Sequence, residues 1–190
     1  MVSIFFLKIA QSWFLFIPII AMSLVILASN ELVNHPINDW LTWGAFSYPL
    51  SFLVTDITNR LFNAQAARRV VYVGFSLGVS LSLIIDTRIA IASGSAFLIA
   101  QLLDIYVFNK LRRLAWWKAP LASSVIGSAI DTALFFTIAF IYSNLPWITW
   151  AVGDFSAKLF MAASLLPIFR ILVNYYPTSL KVAKIYNRRD

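Results

Sequence analysis

Phe52-Leu53-Val54-Thr55-Asp56-Ile57-Thr58-Asn59-Arg60 sets an acid, an amide and a guanidinium inside an apolar run, 41–62, that is long enough to cross a bilayer. On a helix Asp56, Asn59 and Arg60 fall at i, i+3 and i+4 and project from one face within about one turn. Lipid does not accept such a face, because each charge at mid-membrane costs roughly 2.5 to 3.5 kcal/mol on insertion scales. The face is therefore expected to be covered by other helices or to line a wet cavity.

The composition gives that run its setting. Hydrophobic residues make up 61% of the 190 and charged residues 12%, with a mean hydropathy of +0.80. Soluble domains are about 45 to 50% apolar, so this is an integral membrane protein. Cysteine is absent, which excludes a disulfide framework and a thiolate metal site. The single histidine, His35, falls in a short polar connection and reads as a solvated loop residue.

Outward from the quoted stretch, the hydropathy pattern marks six helical spans at about 9–28, 41–62, 70–85, 89–111, 120–142 and 148–175, an all-α membrane protein forming one transmembrane domain over 1–190. The first run is long enough to span and is not followed by a small-x-small cleavage site, so it reads as a helix and not as a leader. Pro49 lies in the outer third of the second span, and Gly74, Ser76, Gly78, Ser80 and Ser82 form a small-residue stripe on the third. Gly94, Phe97, Gln101, Asp104 and Phe108 share one face of the fourth, and Ser124, Gly127, Asp131 and Phe135 one side of the fifth. Between those two spans, Lys110, Arg112, Arg113, Trp116, Trp117 and Lys118 resemble an interfacial anchor. The sixth carries Asp154 and Lys158 as an i, i+4 pair and Pro167 as an expected kink.

The net charge of +7 follows the same plan. Lys8, Arg68, Arg69, the cations at 110–118 and Lys181, Lys184, Arg188 and Arg189 fall on one side of a six-span layout, against Arg88 on the other. By the positive-inside rule both termini face the cytoplasm. Six spans also divide into two inverted sets of three, with the second and fifth as counterparts that open on Pro49-Leu50 and Pro120-Leu121.

Within the spans the ionisable groups are Asp56, Arg60, Asp104, Asp131, Asp154 and Lys158. Pairing Asp56 with Arg60 and Asp154 with Lys158 leaves two carboxylates, which either carry a proton or face donors brought by a ligand or a cation. One reading is that all these groups only lock helices together. The other is that Asp56, Asn59, Arg60, Gln101, Asp104 and Asp131 bind a planar solute, since a carboxylate accepts two parallel hydrogen bonds from an amidine-like edge. Phe97, Phe108 and Phe135 then serve as stacking surfaces, and Asp154 and Lys158 as an ion pair or a coupling element. Catalysis has little footing: an intramembrane serine nucleophile would need a base within the membrane, and His35 is in a loop. No cofactor or metal is implied, and no segment reads as a nucleic-acid module.

Several motifs in order carry a family resemblance: Phe52 to Arg60, Ala67-Arg68-Arg69-Val70, Ala92-Ser93 with Ala96-Phe97-Leu98, Gln101 to Arg112, Ser123-Ser124, Gly127-Ser128, Asp131-Thr132 and Phe135-Phe136. Over about 45–142 the chain resembles the bacterial queuosine precursor transporters, with Asn63 standing where that family is expected to have glycine. The resemblance implies import of 7-cyano-7-deazaguanine, and of 7-aminomethyl-7-deazaguanine, through the inner membrane for salvage in tRNA modification. It implies as partners a small-molecule solute, the bilayer and, as a homodimer, a second copy of the chain. The alternative is the substrate-binding membrane subunit of an ATP-driven vitamin importer, which would need partner subunits to transport.

Overall fold

The computed structural model describes residues 2–32, 35–38, 40–85 and 87–175, so the tail cations Lys181, Lys184, Arg188 and Arg189, with Asp39 and Asp86, lie outside the described residues. The chain runs α1 (Val2–Leu32), a hairpin of β1 (Pro36–Asn38) and β2 (Leu41–Thr42), α2 (Gly44–Ser47), α3 (Leu50–Leu61), α4 (Ala64–Ile85), α5 (Thr87–Leu111), α6 (Lys118–Phe140), α7 (Trp147–Ser164) and α8 (Leu166–Tyr175). Four of the described segments are long and apolar enough to cross a membrane: Leu15–Leu32, Thr87–Leu111, Lys118–Phe140 and Trp147–Tyr175. The chain is a mostly helical membrane protein.

The second span departs from the expected single helix over 41–62. Its first residues belong to the hairpin, whose turn is held by Asn38: its Oδ1 accepts the Trp40 and Leu41 amides at 2.8 and 3.0 Å. After Gly44–Ser47 the helix is interrupted at Tyr48 and Pro49, since proline brings no N–H to the ladder. The next helix, α3, has 12 residues, about 18 Å at 1.5 Å per residue. That is too short to cross a hydrocarbon core of about 30 Å by itself. Being short, it can sit inside the protein, and it packs against α1, α4, α5, α6 and α8.

Asn63 explains how α3 turns into α4 without a glycine. Its Oδ1 accepts the amide of Ala66 at 2.8 Å, the N-cap bond that satisfies an otherwise orphaned helix donor. Along α4 the small-residue stripe splits by type. Gly74 and Gly78 face Met22 and Ile26 of α1, whereas Ser76 and Ser80 are exposed and bond back to the carbonyls of Tyr72 and Ser76. Between α7 and α8 the break falls at Leu165, and Pro167 sits in the first turn of α8, where a missing N–H costs no bond. Trp116 and Trp117 are partly exposed, with Arg170 over the Trp116 ring at 4.7 Å and Lys118 over Trp117 at 5.7 Å.

Close approach at α6 needs Gly127. A Cβ there would lie 2.7 Å from Cε1 of Phe52, a fully buried ring of α3, and 3.4 Å from the Ala100 carbonyl oxygen of α5. Gly127→Ala is therefore expected to cost about 1 to 3 kcal/mol by overpacking. Thermal unfolding of the purified protein in detergent measures it, and an unchanged melting temperature would show that the three helices do not meet there.

Candidate functional site

The buried face of α3 carries Ser51, Phe52, Thr55, Asp56, Thr58 and Asn59, a helical repeat turned wholly inward. Polar groups on such a face need partners, and α5 supplies most of them. Thr55 donates to Gln101 Oε1 at 2.6 Å, Gln101 Nε2 donates to Ser51 Oγ at 2.8 Å, and Asn59 Nδ2 donates to the Ile105 carbonyl at 3.3 Å. These bonds clamp α3 against α5 above and below Asp56. Gln101 thus has both ends of its amide engaged within the clamp, while Asn59 Oδ1 is buried without a partner among the described residues.

Arg60 does not neutralise Asp56. Its Nη1 donates to the Arg112 carbonyl at 2.8 Å, and Arg112 Nη2 returns a 3.4 Å bond to the Asn59 carbonyl, so the two arginines tie the ends of α3 and α5 together. Asp56 instead accepts from the α6 hydroxyls of Ser123, at 3.1 Å to Oδ1, and Ser124, at 3.3 Å to Oδ2. Beside it lies Asp104 of α5, fully buried, whose carboxyl group meets the Asp56 carboxyl and the Ser123 hydroxyl and has no amide or cationic donor among the described residues. Two acids therefore face each other with no cation among the described residues to offset them.

The other buried charges form a separate centre. Lys158 of α7 contacts Asp131 at 2.8 Å and Asp154 at 2.5 Å, and donates to Thr132 Oγ1 at 3.1 Å. One cation thus serves two acids, where the pairing expected from spacing assigned one cation to each of two. Tyr48 completes the cage: its hydroxyl donates to Asp131 Oδ1 at 2.8 Å, and Lys158 Nζ stands 5.1 Å from its ring centre. Thr132 donates to Asp154 at 2.7 Å.

A cavity of about 20 Å³ separates the two centres. Asp56 borders it from one side and Lys158 from the other, between Phe52, Pro120, Ser128 and Phe169. Asp104 and Asp131 stand behind Asp56 and Lys158 and do not border it. Among the aromatic side chains singled out in the sequence, Phe108 packs edge-on against Phe169, Phe135 against Phe136 and Phe140, and Phe97 against Tyr48. The rings bordering this cavity are Phe52 and Phe169. Sequence reasoning missed Tyr48, Thr132 and Ser123 as members of the polar core. They meet the acids only through the packing of separate helices, which a hydropathy pattern does not record, and the one legible sign was Tyr48 preceding a proline.

Comparison with known proteins gives these side chains a family. The family model described as "Putative vitamin uptake transporter" matches residues 42–87 and 85–172. The "Queuosine precursor transporter" of Escherichia coli K12 is 35% identical over 182 residues, covering 80% of this chain and 82% of the relative. A Haemophilus influenzae protein named "Probable queuosine precursor transporter" is also 35% identical, over 89% of this chain and 83% of its own length. A Bacillus subtilis protein of the same name is 25% identical over 66% of this chain and 69% of its own. The chain belongs to the queuosine precursor transporter family. No solved structure matches it. The matched ranges take in α3, α5, α6 and α7, so both charge centres of this queuosine precursor transporter family member lie inside the part it shares with its relatives.

Proposed function

We propose that this chain carries 7-cyano-7-deazaguanine, with 7-aminomethyl-7-deazaguanine as a second solute, across the cytoplasmic membrane for tRNA modification salvage. The observation that carries the reading is Asp56, an acid buried in the wall of a cavity with a second acid, Asp104, at its back and no ion-pair partner of its own among the described residues. An acceptor left open in a dry interior is costly unless something with donors visits it. The 2-amino-pyrimidinone edge of a deazaguanine presents adjacent N–H donors, and Asp56, Asp104 and Asn59 Oδ1 are acceptors for it. Gln101 and Arg60 hold α3 in place for that contact. Lys158 has its three donors on Asp131, Asp154 and Thr132, so it contributes a fixed positive charge and no free hydrogen bond. Stacking falls to Phe52 and Phe169.

At about 20 Å³ the cavity admits water and not a fused two-ring solute. Transport therefore requires the walls to move, and α8, a short segment after the break at Leu165, is the wall that the α3–α5 clamp does not hold. In this reading the protein is multi-pass, with six spans, both termini cytoplasmic and two inverted halves of three. Pro49 and Pro120, the opening residues of the counterpart spans, border the same cavity, which supports that pairing. A homodimer is its expected assembly.

Uptake of labelled 7-cyano-7-deazaguanine by cells unable to make it, with and without this chain expressed alone, tests the proposal. The expected result is accumulation that depends on the chain. No uptake would overturn it, and uptake restored only by added ATP-binding subunits would favour the importer-subunit reading.

A further inference from the structure

Across Tyr48 from the charged cavity lies a second one, of about 40 Å³, walled by Ser29 at the end of α1, Gly74 and Gly78 of α4, and Ser93 and Phe97 of α5. Ser93 donates to the Ala90 carbonyl at 3.5 Å, whereas Ser29 has no such role. Ser29 Oγ is buried and has no hydrogen-bond partner among the described residues, a cost of about 1 to 3 kcal/mol for a hydroxyl that merely fills space. The glycines thin the α4 wall, and Phe97 gives the cavity an aromatic face. Hydrogen-bonding groups beside a ring suit a flat heterocycle better than an ion or an alkyl chain.

Tyr48 lines the second cavity and reaches toward the first. Its ring meets Phe97 of the second cavity edge-on at 6.2 Å and Phe52 of the first at 6.1 Å. It also sits where the helix is weakest. The bonds across the joint are Ser51 N to the Tyr48 carbonyl at 2.9 Å and Leu53 N to that of Pro49 at 3.3 Å, and Pro49 contributes no donor of its own. In chain order, the second cavity lies toward the end of α1 and the start of α5, away from the α3–α4 turn that leads to Arg68 and Arg69.

We propose that this second cavity is an outer binding site for the same flat, hydrogen-bonding solute. On this proposal Tyr48 is a movable partition that swings at the Tyr48–Pro49 joint to pass the solute on to Asp56. It rests on the transport reading above. Because the chain contains no cysteine, single cysteines in the full-length protein in cells report each cavity separately. Ser93→Cys marks the second cavity, Ser29→Cys its opposite wall should the first variant express poorly, and Ser128→Cys the first cavity. Asn144→Cys, in the exposed connection between α6 and α7, is the reference.

A charged, membrane-impermeant methanethiosulfonate added outside is expected to modify Ser93→Cys, and 7-cyano-7-deazaguanine at roughly ten times its Kd slows that modification about tenfold while leaving modification of Asn144→Cys unaffected. Ser128→Cys is expected to react slowly with Tyr48 or with Tyr48→Phe, which keeps the ring, and at the Ser93→Cys rate with Tyr48→Ala. If wild-type cells accumulate the solute but it gives Ser93→Cys no protection, the second site is overturned. A Ser128→Cys rate indifferent to Tyr48→Ala overturns the partition. Cells that accumulate no solute at all refute the transport reading instead.

Discussion

Lys158→Met is expected to destabilise the protein more than any other single substitution on α7. The lysine is buried and holds Asp131 and Asp154 at once. Without it Asp131 stays buried and Asp154 half-buried, with Tyr48 and Thr132 as their remaining donors. Removing one partner of a buried ionic cluster costs about 3 to 5 kcal/mol, because the stranded charge is worse than the lost attraction. For a chain of this length that is a fall in melting temperature on the order of 10 °C in detergent. Adding Asp131→Asn and Asp154→Asn to Lys158→Met removes the stranded charges and is expected to restore most of the stability. A Lys158→Met protein that melts with the wild type would mean that the cage is wetter than its burial indicates.

Asp56→Asn is expected to act in the opposite way, sparing the fold and removing transport. Its two partners are serine hydroxyls, which can turn to accept from an amide as readily as they donate to a carboxylate. The melting temperature should therefore hardly move. Asparagine replaces one of the two acceptor oxygens by a donor, and a solute N–H left buried without its acceptor costs about 1 to 3 kcal/mol, so uptake falls by roughly one to two orders of magnitude. The measurement is initial uptake of labelled 7-cyano-7-deazaguanine per folded molecule in membranes. Uptake kept per molecule, with a reduced folded yield, would make Asp56 a helix lock between α3 and α6 and nothing more.

The pair of substitutions separates two roles that both appear as buried charge. Lys158 is satisfied on every side, so its replacement is felt in the fold. Asp104 is buried against another acid, Asp56, with only that carboxyl and the Ser123 hydroxyl beside it, and burying two acids together without a cation costs a fold stability. That asymmetry, more than the count of intramembrane charges, is what points to a solute.

The sequence by itself determined the class and much of the helical plan, because the exclusion of water from hydrocarbon leaves a direct trace in runs of apolar residues. It also determined that Asp56, Asn59 and Arg60 share one helical stripe, and that Lys158 lies one turn from Asp154, since i, i+4 spacing is local geometry. The tertiary structure decided the rest. Arg60 turned away from Asp56 to a carbonyl at the end of α5, Asp131 on α6 came to Lys158 on α7, and Tyr48 was set between two cavities. The second span became a hairpin, a short helix and a buried half-length helix, with its break at Pro49. Which charge meets which depends on how helices are rotated and how closely they approach. That is fixed by contacts such as Gly127 against Phe52, between residues far apart in the chain, and no periodicity along a single helix encodes it.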